Sequence, residues 1–87
     1  MMSLKILVIE DSESIRFLLK EVLREHEVTF AVDGERGLAT FSQSNFDLVF
    51  TDLQMPGIWG DKVIEEIKSR VPTARVILMS SSAPSLC

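Results

Sequence analysis

The chain is 87 residues long, 46% hydrophobic and 25% charged, which describes one globular domain near the lower size limit for folding on its own core and leaves little room for disorder or repeats. A formal charge of −4, with no cluster of Lys and Arg, argues against a nucleic-acid or acidic-membrane surface. The longest uncharged apolar runs, such as Ile6 to Ile9 and Val76 to Met79, are too short to span a bilayer, and the amino terminus lacks a charged segment followed by an apolar stretch, so a cytoplasmic protein is expected.

Leu4 to Ile9 is a nearly continuous β-rich run of the kind covered on both faces in a parallel sheet, and it stops at Glu10-Asp11-Ser12. From Ser14 to about Glu25 the apolar positions Ile15, Leu18, Leu19, Val22 and Leu23 follow helical spacing, with Asp11 or Ser12 available as the cap; Phe17 falls on the opposite side. His26, in the turn that follows, has no partner residues for metal binding and is expected to be solvated. Glu27 to Val32 is a short β-branched segment ended by Asp33-Gly34, after which Leu38, Ala39 and Phe41 predict a short, weak second helix containing the helix-unfriendly Gly37.

Phe46 to Thr51 repeats the buried-strand signature and delivers Asp52 at its C-terminal end, while Leu53 to Gly60, with Pro56, Gly57 and Gly60, predicts a loop. Asp61 to Ser69 carries Val63, Ile64 and Ile67 on one side of a third helix, and Pro72 closes the turn before a fourth strand over Arg75 to Met79. After Met79 the composition changes to Ser80-Ser81-Ser82-Ala83-Pro84-Ser85-Leu86-Cys87, so residues 1–79 are expected to form the domain and 80–87 an irregular Ser-rich tail ending in an inert exposed thiol. The order βαβαβαβ calls for parallel pairing with right-handed crossovers, hence an open α/β sheet with helices on both faces.

In such a sheet ligands bind at the carboxyl ends of the strands where the strand order reverses, and Glu10, Asp11 and Asp52 all fall at strand ends. Three carboxylates in one place repel one another unless a cation is bound, and an all-oxygen set suits a hard divalent ion such as Mg²⁺. The plainer alternative is that Glu10 and Asp11 cap the first helix while Asp52 caps a loop. Position alone leaves both open.

The segments Lys5-Ile6-Leu7-Val8-Ile9-Glu10-Asp11 and Phe46-Asp47-Leu48-Val49-Phe50-Thr51-Asp52-Leu53-Gln54-Met55-Pro56-Gly57 resemble the acidic pair and the phospho-acceptor loop of receiver domains of the two-component response-regulator family. Gly60 and the Val32-Asp33-Gly34 turn agree, and the resemblance covers nearly the whole chain to Met79. It implies a flavodoxin-like open parallel sheet of order 2-1-3-4. It implies further that Glu10, Asp11, Asp52 and the backbone carbonyl of Gln54 bind Mg²⁺, and that Asp52 takes a phosphoryl group from a phosphohistidine on a sensor histidine kinase or phosphotransfer protein. Ser80, with Ser81 as a substitute, matches the family's switch hydroxyl. A haloacid-dehalogenase type hydrolase, which also uses an aspartyl nucleophile with magnesium, wants a second Asp two positions after the first, where this chain has Gln54.

A full receiver continues with a fourth helix, a fifth strand and a fifth helix, whereas this sequence stops where the fourth helix would begin; the expectation is a truncated receiver without the family's phosphoryl-contacting lysine and switch aromatic. Loss of that cation should weaken phosphoryl transfer, and the module is a signalling domain rather than an enzyme in the ordinary sense. An uncovered fourth strand and a bare sheet face beside the first helix are expected to drive formation of a homodimer or larger assembly, with Phe17 and Trp59 as further interface candidates. The alternative function is a non-catalytic interaction module that oligomerises or competes for a kinase.

Overall fold

A computed structural model of the chain describes residues 3–52 and 60–79. Its centre is strand β1 (Lys5–Ile9), whose residues from Ile6 onward are buried because other strands flank it on both sides. Strand β2 (Glu27–Ala31) pairs parallel with one edge of β1, and β3 (Leu48–Asp52) pairs parallel with the other. Strand β4 (Val76–Met79) adds parallel to β3, giving the order β2-β1-β3-β4 that the sequence resemblance implied. An uninterrupted apolar run is what a strand covered on both faces requires, and Ile6, Leu7, Val8 and Ile9 are each at most 1% exposed.

The handedness of the connections distributes the helices. Helix α1 (Glu13–Val22) links β1 outward to β2, whereas α2 (Gly34–Gln43) and α3 (Gly60–Arg70) serve crossovers running the opposite way, from β2 to β3 and from β3 to β4. Right-handed crossovers therefore place α1 on one face and α2 with α3 on the other. The core lies on the second face, where Leu7, Ile9, Ala31 and Val49 of the sheet pack with Leu38 and Phe41 of α2 and Val63 and Ile67 of α3.

The α1 face is less covered than its helical periodicity suggested. No residue of α1 is buried, and Leu18 and Val22, assigned to the covered side from their spacing, stand as open as Phe17, with exposures of 55%, 66% and 69%. Spacing finds the apolar stripe of a helix but not whether a neighbouring element lies against it. On β4, Ile77 and Leu78 are also exposed, and their pairing with Phe50 and Thr51 puts them on opposite faces of the sheet edge.

Local chemistry sets the element ends. Ser12 is the cap of α1, its Oγ accepting from the Ile15 N–H at 3.4 Å, and the helix stops at Val22 rather than Glu25, with the Leu23 N–H still bonded to the Leu19 carbonyl. His26 is not merely solvated: its half-buried Nδ1 accepts the Leu4 N–H at 3.0 Å and so anchors the start of β1. The second helix is a full ten residues, started by Asp33, whose Oδ1 accepts the Arg36 N–H at 2.7 Å.

Gly37, which reads as a weakness in that helix, is the residue that lets it dock. A Cβ there would lie 2.6 Å from Ile9 Cγ1 and 3.0 Å from Ile9 Cγ2, so only a glycine allows α2 to reach the fully buried Ile9 of β1. Gly37→Ala is accordingly expected to destabilise the chain by about 1–3 kcal/mol, although alanine is the better helix former by about 1 kcal/mol. Adding Ile9→Val should return part of the loss in urea denaturation; a stabilised single variant would show that the contact is not tight.

Candidate functional site

The strand order reverses between β1 and β3, since the chain leaves β1 toward β2 on one side and later returns to build β3 and β4 on the other. The crevice outside the carboxyl ends of such a strand pair is where open α/β sheets bind ligands. Ile9 pairs with Thr51, so the residues next in each chain, Glu10 and Asp52, emerge side by side at that crevice. The Glu10 N–H continues the ladder by donating to the Ala31 carbonyl at 3.0 Å, which fixes the backbone at the point where its side chain turns into the site.

Oxygen atoms of Glu10, Asp11 and Asp52, one from each carboxyl, all lie within 4.8 Å of one another. Glu10 and Asp52 are 1% and 2% exposed, while Asp11, in the turn to α1, is open to solvent. Burial pushes the Glu10 carboxyl up to about 7; the Ser12 N–H, donating to its Oε2, pulls the other way, and hydrogen bonding with Asp52 and Asp11 and the charge of Asp52 push it further up. Such a site favours anything that brings positive charge. Oxygens about a Mg²⁺ at ~2.1 Å stand roughly 3–4 Å apart, so the spread of this all-oxygen set fits a hard divalent cation completed by water or backbone carbonyls.

Glu10, Asp11 and Asp52 are thus brought together as the sequence suggested. The alternative in which Glu10 and Asp11 serve only as helix caps is overtaken by Ser12, which does the capping itself and also donates its N–H to Glu10. Gln54, Ser80, Ser81 and Trp59 lie outside the described residues. Two residues escaped the sequence reading. Thr51 is fully buried beside Asp52, and Arg16, in the first turn of α1, sends Nη1 back to the Glu10 carbonyl at 2.9 Å. The signal for Arg16 was a basic residue one helical turn beyond the Ser12 cap, on the side of the acidic pair.

The sequence model of the response regulator receiver domain matches residues 6–85. The chain belongs to the response regulator receiver family. Among curated receivers, sensory transduction protein RegX3 of Mycobacterium tuberculosis is 35% identical over 80 residues, covering 87% of this chain and 35% of that protein. Sporulation initiation phosphotransferase F of Bacillus subtilis is 36% identical over 83 residues, covering 93% of this chain and 67% of that protein. The chain thus spans about a third of the length of the RegX3 proteins.

Solved receivers agree in fold. Response regulator TrrA of Thermotoga maritima, in complex with Mg²⁺ and beryllium fluoride, superimposes with a TM-score of 0.87 at 42% identity, over 94% of this chain and 72% of that one. A response regulator TrrA complexed with histidine kinase ThkA gives a TM-score of 0.88 at 40% identity, over 99% of this chain and 75% of that one. No described helix of this receiver is long and apolar enough to cross a membrane.

The raised Glu10 carboxyl makes the metal-free receiver pH-sensitive. Between about pH 4.5 and about 7 the unfolded chain has this carboxyl ionised while the folded chain keeps it protonated, so the unfolded state gains as pH rises. Stability without metal is expected to fall across that window by up to about 1 kcal/mol per pH unit from this group, a slope that Glu10→Gln removes. A divalent cation held by the three carboxylates would take the ionised form, so any rise in thermal midpoint on adding Mg²⁺ should grow over the same window. Identical slopes for wild type and Glu10→Gln in thermal melts would refute the raised value.

Proposed function

We propose that the chain is a phosphoryl-accepting module of two-component signalling, with Asp52 as the acceptor. The observation that carries the reading is the buried Asp52 carboxyl at the switch point of the sheet, within 4.8 Å of Glu10 and Asp11. A carboxylate oxygen of Asp52 attacks the phosphorus of a phosphohistidine on a sensor histidine kinase or phosphotransfer protein; the P–N bond breaks as the O–P bond forms, leaving an aspartyl phosphate and a free histidine. Catalysis of this kind is almost wholly alignment and charge compensation, both of which a rigid strand end favours.

Glu10, Asp11 and Asp52 would hold Mg²⁺, joined by the backbone carbonyl of Gln54. When bound, the cation neutralises charge on the transferring group and offsets the repulsion among the three carboxylates. Glu10 and Asp52 stay oriented by burial and by the β1–β3 ladder. Ser80 would give the switch hydroxyl. The complex of TrrA with histidine kinase ThkA supports a histidine kinase as donor.

The decisive test is incubation with acetyl phosphate or phosphoramidate and Mg²⁺, read by intact mass. A phosphate-sized adduct is expected in the wild type and absent from Asp52→Asn and from samples with a chelator. An unmodified wild type that binds Mg²⁺ would overturn the acceptor role.

The exposed apolar residues favour a second, compatible reading, in which the 87-residue chain self-associates through α1 and the β4 edge. Phe17, Leu18 and Val22 on the helix and Ile77 and Leu78 on the strand form more open apolar surface than scattered surface residues explain. Sedimentation should then show a dimer or larger species that Leu78→Lys together with Val22→Glu dissociates; a monomeric wild type at micromolar concentration would refute it.

A further inference from the structure

We infer that Arg16 is a positioning residue of the acidic site, acting through the main chain of the turn that carries Glu10 and Asp11. The inference rests on the reading of that site as a Mg²⁺ centre. Glu10 is held at three points: its N–H by the Ala31 carbonyl at 3.0 Å, its Oε2 by the Ser12 N–H at 3.1 Å, and its carbonyl by Arg16 Nη1 at 2.9 Å. The first two bonds fix Glu10. The third fixes the peptide between Glu10 and Asp11, and with it the direction in which the solvent-exposed Asp11 leaves the strand.

Asp11 needs that help most. Glu10 and Asp52 are set by burial and by strand pairing, whereas Asp11 sits beyond the end of the ladder on an open turn, where the backbone has more freedom. The donor reaches back from α1 itself, whose start is fixed by the Ser12 cap and by the Arg16 N–H bonding the Ser12 carbonyl at 3.0 Å. Helix, turn and strand end are thereby closed into one small ring of bonds.

What Arg16 does not do is equally telling. Three carboxylates crowd the same end of the sheet, yet among the described residues Arg16 takes part in no ion pair. A guanidinium paired with Asp11 would compete directly with a metal ion for the same oxygens. Directed at a main-chain carbonyl, its charge-assisted bond stiffens the turn and leaves the carboxylates available. Partners that orient metal ligands in this way typically account for roughly 10–100-fold in metal affinity.

Calorimetric titration of Mg²⁺ into the purified chain tests this. Arg16→Met, which keeps the apolar stem and loses the donors, should bind Mg²⁺ at least roughly tenfold more weakly. Arg16→Lys, with a single ammonium in place of the fork, should fall between the two. Leu38→Ala provides the control for stability alone: it removes packing from the α2 core, on the sheet face opposite α1, and should lower the thermal midpoint while leaving Mg²⁺ affinity near the wild-type value. The rate of phosphorylation by acetyl phosphate in Arg16→Met should recover toward wild type as Mg²⁺ is raised, as expected of a residue that acts through the metal site.

Unchanged affinity in Arg16→Met, or a loss matched by Leu38→Ala, overturns the positioning role while leaving the metal site intact. A wild type that takes up no Mg²⁺ overturns the site reading itself, and this inference with it. If Arg16→Met does not fold, the titration of Arg16→Lys decides, wild-type affinity counting against the inference.

Discussion

The structure turns on the forced proximity of two buried carboxyls, Glu10 and Asp52, at the ends of adjacent parallel strands. Two such groups would separate or stay exposed if hydrophobic burial and hydrogen bonding alone shaped the fold. They are held together because Glu10 follows the apolar run of β1 and Asp52 ends β3, and the register of Ile9 with Thr51 leaves them nowhere else to go. The raised Glu10 carboxyl is the visible mark of that constraint. Local instability of this kind is characteristic of sites built to receive a cation or a transferring group rather than to stabilise the apo chain.

Everything around the pair serves to hold it there. The α2–α3 face carries the core, and Gly37 lets α2 press on Ile9, the residue just before Glu10. The α1 face contributes differently. It is thinly packed, but its helix supplies Ser12 and Arg16, which fasten the turn beyond the strand. One side of the sheet thus gives stability and the other gives orientation, and the apolar residues left open on α1 and β4 belong to the side and the edge that do less of the packing.

Much of this was legible in the residues. Continuous apolar strands, helical spacing and the absence of any other periodicity yielded the element order, and the acidic residues at strand ends marked the site, because these signals depend only on neighbours in sequence. What stayed hidden depends on contacts between distant residues. Gly37 reads as a defect until Ile9 is seen beneath it, His26 as solvated until it meets the Leu4 N–H, and Leu18 and Val22 as core until they are seen to stand exposed. Arg16 belongs to the same class, since a long basic side chain on a helix is usually solvent-facing and only its partner distinguishes it.

The central place of β1 also bears on how the site comes into being. Both of its neighbours arrive from later in the chain, β2 after one crossover and β3 after a second, so every pairing that the site needs is non-local. Contacts of this sort are reached late in folding, after the loop entropy of each crossover has been overcome. As the chain leaves the ribosome, Glu10 and Asp11 emerge long before Asp52, and the acidic pocket closes only when β3 docks. Until then the early half of the chain holds acidic residues without a site, and the three carboxylates come together only once the central sheet has formed.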